Sequence, residues 1–430
     1  MSIATISVSF FVALAVLLIG VPVAVVMAAM GVAGGLATAG APMIESLGSV
    51  IWSVQNENIL TAIPLFILLG EILLRSGLAD KMYLSLSAWL GRLPGGLLHA
   101  NMSSCALFAA TCGSSVATAA TIGTVAIPAL KGRGYDMRQA LGSLAAGGTL
   151  GILIPPSVAM LVYGSITNNS IGQLFIAGVI PGILLTALFM AYIVMANWRR
   201  GGMVEAHLSF RERLVLSRFL VPPFIIFAVV MGSLYLGWAT PTESASLGVI
   251  IAIGFALSVG RFDQSVLHHC FRQTASITGM IILIICGSFI LNVTLNFLSI
   301  PQVLTKFVTG LGVGPTEIIM ILIVFYLILG CFLEVLSMQV TTIPIAYPIV
   351  TALGIDPIWF GVFIVLMSEI ALITPPVGMN LYVVQSIRND GGPISDVIKG
   401  VWPYVVIMLG FTVFLWFVPE VVLWLPRNMF

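Results

Sequence analysis

The sequence predicts an all-α polytopic membrane protein, built as an inverted-topology repeat with two re-entrant hairpins and two broken helices. Three observations point there. Of 430 residues, 59% are hydrophobic and 8% charged; so little polar surface cannot cover a folded chain in water, and most of the outside must face lipid. The chain also resembles itself at an offset of 220: Thr121, Ala126, Pro128, Gly134 and Asp136 recur as Thr341, Ala346, Pro348, Gly354 and Asp356, and Pro155-Pro156 as Pro375-Pro376. Around each Pro-Pro pair an apolar run is broken by small and polar residues, GGTLGILIPPS in one half and SEIALITPPVGMN in the other. Matched Gly/Pro-interrupted hydrophobic segments point to the binding site of a secondary transporter.

A helix needs ~20 apolar residues to cross a ~30 Å hydrocarbon core. Windows of that kind lie near 4–37, 59–75, 137–168, 172–197 and 219–237, then 244–261, 275–298, 357–387 and 403–425. The first is overlong and carries Gly20-Val21-Pro22 in its middle, so it fits one tilted helix or two short ones. It lacks the positive start and short length of a signal peptide and reads as a retained span. Residues 76–97 interleave Arg75, Lys81 and Arg92 with Leu, Trp and Tyr, as in a helix lying along the interface. Runs 98–130 and 318–352 each hold about two helices of ~15 residues, too short for two crossings. Polar patches interrupt them, Cys112-Gly113-Ser114-Ser115 and Glu334-Val335-Leu336-Ser337. Both runs read as re-entrant hairpins whose tips must be covered by protein or a wet cavity, with the broken helices as the partners.

Charge sets the orientation. With Arg199, Arg200, Arg211, Arg213 and Arg218 placed in the cytoplasm, counting crossings outward sorts Arg75, Lys81, Arg92, Lys131, Arg133 and Arg138 to that side. Arg261, Arg272, Arg388 and Lys399 join them, leaving Lys306 and Arg427 outside. The first hairpin then opens inward and the second outward. The expected organisation is scaffold spans and an arm helix in 1–97, a first transport repeat in 98–200, scaffold spans in 201–274 and a second repeat in 275–430.

A net charge of +1 without a basic tract excludes nucleic acid. No Walker, H-E-x-x-H or G-x-S-x-G motif occurs, so neither ATP coupling nor an enzyme is expected, nor any catalytic residue or cofactor. His99, His207, His268 and His269 fall in loops or interfacial segments and read as solvated or headgroup-level groups. Cys105, Cys112, Cys270, Cys286 and Cys331 lack C-x-x-C spacing and read as small hydrophobes. Gly31-x-x-x-Gly35 permits close helix contact, a common pattern. Intramembrane acids carry more information, because a charge in hydrocarbon is costly. Glu71 beside Arg75 reads as a structural i, i+4 pair, Glu243 as an outer-turn residue and Glu420 as the outer end of the last span. Glu334 and Glu369 remain as a cation ligand, a proton carrier or a hydrogen-bond brace, with the brace as the first reading.

The strongest constellation is backbone. A helix broken at mid-membrane exposes carbonyls that suit a small hard cation and N–H groups that suit an anion. Gly113, Ser114 and Ser115 start the second arm of the first hairpin. Gly147, Gly148, Thr149 and Gly151 precede Pro155, Pro156 and Ser157; the second half offers Glu334 and Ser337, then Ser368, Thr374, Pro375, Pro376, Gly378 and Asn380. Each half would build one cation site. Simple kinking of packed helices would use the same residue types, but would not repeat the kinks at one offset beside hairpins.

At these motifs the chain resembles a known family. TCGSSVATAATIGTVAIPALKGRGYD, AAGGTLGILIPPS and ITPPVGMNL are similar to the large membrane subunit of TRAP transporters, the tripartite ATP-independent periplasmic carriers, over essentially the whole chain. The resemblance implies an elevator-type ion-transporter fold, Na⁺ as coupling ion, and uptake of an organic acid such as a C4-dicarboxylate or sialic acid across the bacterial inner membrane. It implies a periplasmic substrate-binding protein and a small four-helix membrane subunit as partners, the latter a separate chain because the spans of a fused one are missing. Ser114, Ser115 and the two Pro-Pro breaks, with Glu334 and Ser337 at the second tip, would belong to the Na⁺ and substrate region. The alternatives are a stand-alone divalent-anion/Na⁺ symporter and a polytopic membrane enzyme or scaffold.

Overall fold

The computed structural model describes residues 3–198, 209–259 and 263–429, and among them every regular element is helical. Arg199, Arg200, His207 and Arg261 lie outside the described residues. The first half runs α1 (Ile3–Leu18), α2 (Val23–Ala39), α3 (Ala41–Gln55), a 3₁₀ turn (Asn58–Thr61), α4 (Ala62–Arg75) and α5 (Leu78–Leu90). It continues with α6 (Leu97–Cys112), α7 (Ser115–Gly132), α8 (Met137–Leu153), α9 (Val158–Thr167) and α10 (Ile171–Asn197). After α11 (Phe210–Ser217) come α12 (Val221–Tyr235), α13 (Pro241–Val259), α14 (Gln264–Phe297) and α15 (Ile300–Gly310). The chain closes with α16 (Pro315–Gly330), α17 (Val335–Ala352), α18 (Pro357–Ile373), α19 (Met379–Ile387), α20 (Ile394–Phe417) and α21 (Glu420–Met429). Among the described residues, eight helical stretches are long and apolar enough to cross a membrane.

The internal repeat holds at the level of whole helices. Advancing α7 and α8 by 220 positions lands on the bounds of α17 and α18, while α2 and α10 map within three residues onto α13 and α20. The departure from symmetry is informative. The segment equivalent to α3, the 3₁₀ turn and α4 is one unbroken 34-residue helix, α14. In the first half Asn56, Glu57 and Asn58 interrupt that run, and Asn56 bonds back to the Trp52 carbonyl through both its backbone and its side chain. Polar side chains that bond the local backbone compete with helix continuation.

The hairpins and broken helices form where the sequence places them. Gly113, at φ 64°, turns the chain between α6 and α7, a backbone region open to Gly without penalty. Both Pro-Pro bonds are cis and separate α8 from α9 and α18 from α19. Of the two readings of the 4–37 window the two-helix one holds, because Gly20 at φ 94° and Pro22 end one helix and start the next. Three expectations are corrected. Window 403–425 is not a single span: α20 starts earlier and stops at Phe417, Pro419 prevents continuation, and α21 folds back onto α10. The second tip is Cys331–Leu333 rather than 334–337, since Glu334 already caps α17. His99 is not at headgroup level; it is buried in the first turn of α6 with Nε2 at 2.9 Å from the Pro94 carbonyl. His268 and His269 lie exposed on α14, and the five cysteines are free.

Contacts at the helix ends show that the broken helices run antiparallel. Tyr163 near the end of α9 donates to the Pro357 carbonyl at the start of α18 (2.6 Å). At the opposite end, Asp396 of α20 accepts from Arg138 at the start of α8 (3.0 Å) and from Arg388 at the end of α19 (3.1 Å). Arg388 also pairs with Asp390, whereas Arg427 joins Glu420 (2.6 Å) and Asp356 (3.9 Å) at the far end. These ion pairs thus gather at the two ends of the broken helices, where water or headgroups meet a spanning protein.

Packing is closest where glycines remove the side chain. A Cβ on Gly142 of α8 would collide with the Gly400 backbone of α20, and one on Gly400 with the Arg138 carbonyl. Small residues let helix backbones approach in lipid, where dispersion replaces the hydrophobic effect. Gly142→Val is therefore expected to force α8 and α20 apart and destabilise the fold by about 1–3 kcal/mol, read as a lower unfolding temperature in detergent. Gly254→Ala, at a position in α13 open on all sides, should leave that temperature unchanged or raise it slightly.

Candidate functional site

Four half-helices begin at the two tips and two breaks, and their first turns line one cavity of about 190 Å³. Ser115 and Val116 of α7, Val158 and Ala159 of α9, Val335 and Leu336 of α17, and Met379 of α19 all border it. N-terminal turns carry free N–H donors and the positive end of the helix dipole, so their convergence makes a site suited to negative charge. The ends of the preceding helices, at Cys112, Ile152 and Leu372, border the same space and bring carbonyl groups beside it.

The first tip is seated on the first break. A Cβ on Gly113 would stand 2.6 Å from the Pro156 carbonyl oxygen, and one on Gly151 2.6 Å from Ser115 Cα. Ser114 caps α7 by accepting from the Ala117 N–H (3.4 Å), and Ser157 caps α9 by accepting from Met160 N–H (3.3 Å). Ser115 instead donates across the molecule to Glu369 of α18 (2.9 and 3.0 Å). Glu369 also accepts from the Ile152 N–H (2.9 Å), a donor in the last turn of α8. This fully buried carboxylate from the second half therefore pins the first tip to the first break. Of the three readings left open, the hydrogen-bond brace is the one its contacts display.

The second half is built differently. Glu334 caps α17, accepting from the Ser337 N–H (3.0 Å) and hydroxyl (2.9 Å). Cys331 S–H lies 3.2 Å from the Pro375 carbonyl, placing the second tip against the second break. Thr374 donates to Ile370 (2.7 Å) and Thr149 to Ala146 (2.6 Å), so both hydroxyl protons serve their own helices. The Pro376 carbonyl accepts from Tyr382 (3.2 Å). Ser337 and Gly378 border a separate hollow of about 230 Å³ against α1 and α2, which shares Glu334 with the central cavity.

The structure thus joins Gly113, Ser114, Ser115 and Glu334 in one wall, and sets Gly148, Thr149 and Asn380 behind it. Asn380 Nδ2 reaches the Ala145 carbonyl (3.4 Å), and a Cβ on Gly148 would lie 3.1 Å from that nitrogen and 3.2 Å from the Ser115 carbonyl oxygen. Asn380 Oδ1 is buried without a hydrogen-bond partner among the described residues. So is Oε1 of Gln339, whose Nε2 sits 3.4 Å from Ser368 Oγ. Buried amide oxygens left free next to a helix break suit a hard cation. Sequence reasoning passed over Gln339, though an amide two residues after the expected second tip was a usable signal.

It also missed the opposite wall. Ile67, Gly70, Glu71 and Leu74 of α4 and Ile277, Met280 and Ile281 of α14 close the cavity. Glu71 is both paired, with Arg75 at 3.2 Å, and exposed to this space. Its i, i+4 spacing disclosed the pair, but nothing local disclosed that α4 faces the tips.

The sequence pattern of a family described as "Tripartite ATP-independent periplasmic transporter, DctM component" matches residues 10–421. The C4-dicarboxylate TRAP transporter large permease protein DctM of Pseudomonas aeruginosa is 35% identical over 387 residues, 89% of this chain and 90% of that one. The isethionate TRAP transporter permease protein DctMQ of Oleidesulfovibrio alaskensis is 32% identical over 415 residues, 94% of this chain and 64% of the longer relative. Among solved structures, the YdaH transporter of Alcanivorax borkumensis, described as having an unusual topology, aligns with a TM-score of 0.63 over 94% of this chain and 97% of that one at 13% identity, a likeness of fold. The chain is a multi-pass membrane protein that belongs to the DctM family, the large permease subunit of the tripartite ATP-independent periplasmic transporters.

Proposed function

We propose that this chain imports an organic acid into a bacterial cell by Na⁺-coupled symport across the inner membrane. A periplasmic binding protein delivers the acid, and a small four-helix membrane subunit, as a separate chain, braces this one. The observation that carries the reading is the meeting of four half-helix N-termini and adjoining carbonyl ends at one cavity. The N–H ends would hold the acid, and the carbonyl ends with Ser114, Ser115, Ser337 and Asn380 would hold Na⁺. The names of two relatives, transporters of a C4-dicarboxylate and of isethionate, agree with an organic anion.

An elevator fits the packing. The tips, breaks and α20 form one interlocked body, while α4, α12 and α13 pack on each other and α14 lies along α2, α3 and α4. In this reading residues 1–97 and 201–274 are the fixed part, and the packing of α14 extends it to residue 297. The hairpins and broken helices of 98–200 and of the rest of 275–430 are the moving part. The same geometry would serve a stand-alone symporter; dependence on the binding protein separates the two.

Two outcomes test this. If at least two Na⁺ accompany a monoanion, each net positive charge gains ~2.3 kcal/mol per 100 mV of inside-negative potential. Uptake into proteoliposomes should then require Na⁺ and accelerate when the interior is made negative; equal uptake in K⁺ alone would remove Na⁺ coupling. The second concerns the pin between the halves. Glu369→Ala removes the acceptor of the Ser115 hydroxyl and of the Ile152 N–H, a loss of ~1.5–3 kcal/mol, which should raise half-saturating Na⁺ about 10–100-fold at unchanged membrane expression. Ser115→Ala removes one donor and should shift it less. An unaltered Na⁺ titration in Glu369→Ala would reduce the carboxylate to a packing role.

A further inference from the structure

A second hollow, of about 280 Å³, lies between α4, α5 and α7, one turn along α4 from the central cavity. Leu74 borders both spaces and stands between them. Arg75 is the one basic side chain among the described residues of the outer wall, facing the Thr121 and Thr124 side chains of α7. Both threonine hydroxyls spend their protons within α7, on the Ala117 and Thr121 carbonyls (2.7 Å each). That leaves the guanidinium as the wall's charged hydrogen-bond donor. Asp80 also borders the hollow, in the first turn of α5, where the helix dipole offsets its charge.

The Glu71–Arg75 pair therefore straddles the divide, with its carboxylate in the central wall and its guanidinium in the outer one. Among the described residues Arg75 donates through Nε alone, at 3.2 Å, and about a third of its side chain is exposed. A single partly exposed contact of this kind is weak. A free carboxylate that engages a guanidinium with two parallel N–H bonds competes well against it.

We propose that the outer hollow is a release station for the transported organic acid, with Arg75 receiving the carboxylate after it leaves the half-helix N-termini. Glu71 holds the guanidinium at the threshold, and Leu74 is the apolar divider the acid passes. Lys81 and Arg218 both lie over the Phe219 ring beside this end of α4, so the hollow opens toward the side that positive charge marks as cytoplasmic. The proposal rests on the reading that the chain carries an organic acid inward, and it adds where and by which residue the acid is let go.

The test is counterflow in proteoliposomes holding the full three-part system. The probe is the first of labelled succinate, N-acetylneuraminate or isethionate that the wild type carries. The internal concentration of unlabelled acid that half-saturates exchange reads the cytoplasmic side; the external KM and half-saturating Na⁺ read the other steps. Arg75→Gln should raise the internal constant about tenfold and leave the other two unchanged, and Arg75→Lys should restore part of the loss. An unchanged internal constant, or an equal shift in all three, would overturn the station and leave Arg75 a structural partner of Glu71. A wild type that carries none of the three probes would instead count against the organic-acid reading itself.

Discussion

Backbone polar groups left unpaired in hydrocarbon cost several kcal/mol each, and this molecule interrupts its helices at four central points, two hairpin tips and two breaks. Everything about its centre follows from covering those ends. The Glu369 carboxylate is the clearest instance: it takes the Ile152 N–H of one break and the Ser115 hydroxyl of the facing tip. Three of the four half-helix starts are capped by Ser114, Ser157 and Glu334, each bonding an N–H three residues on; α19 starts at Gly378 without a side-chain cap, and Gly113 and Gly151 bring the first tip into bare contact with the first break.

The repeat is symmetric in backbone and asymmetric in chemistry. At the shared offset, Ser114 answers to Glu334, Ser115 to Val335 and Thr149 to Glu369. A serine pair with a distant carboxylate thus secures the first tip, while a local carboxylate with its own Ser337 secures the second. Among the described residues, the first tip is hydrogen-bonded to the other half of the chain, and the second to itself and its own break. The two tips therefore differ in how far they are tied to the rest of the protein.

Long-range packing gives the tips a wall to face. Helix α14, unbroken where its counterpart is interrupted, lies along α2, α3 and α4. With α4 it presents an apolar surface relieved by Glu71 to the cavity.

The sequence by itself determined the membrane class, the repeat, the hairpins and the breaks. Each is a local matter of hydrophobic run length, of residues that cannot continue a helix such as Pro155-Pro156 and Pro375-Pro376, and of glycine where the chain must turn. It also singled out Glu369 as an acid costly to place in hydrocarbon, and Ser115 and Asn380 as polar groups beside a tip and a break. The tertiary structure alone decided which partner each would meet, because the Ser115–Glu369 bond joins residues 254 positions apart. The burial of His99 and the place of Glu71 and Gln339 around the centre were also settled by packing. Those outcomes depend on which helix faces lie together, and neither run length nor local spacing encodes that for a helix that is apolar all round.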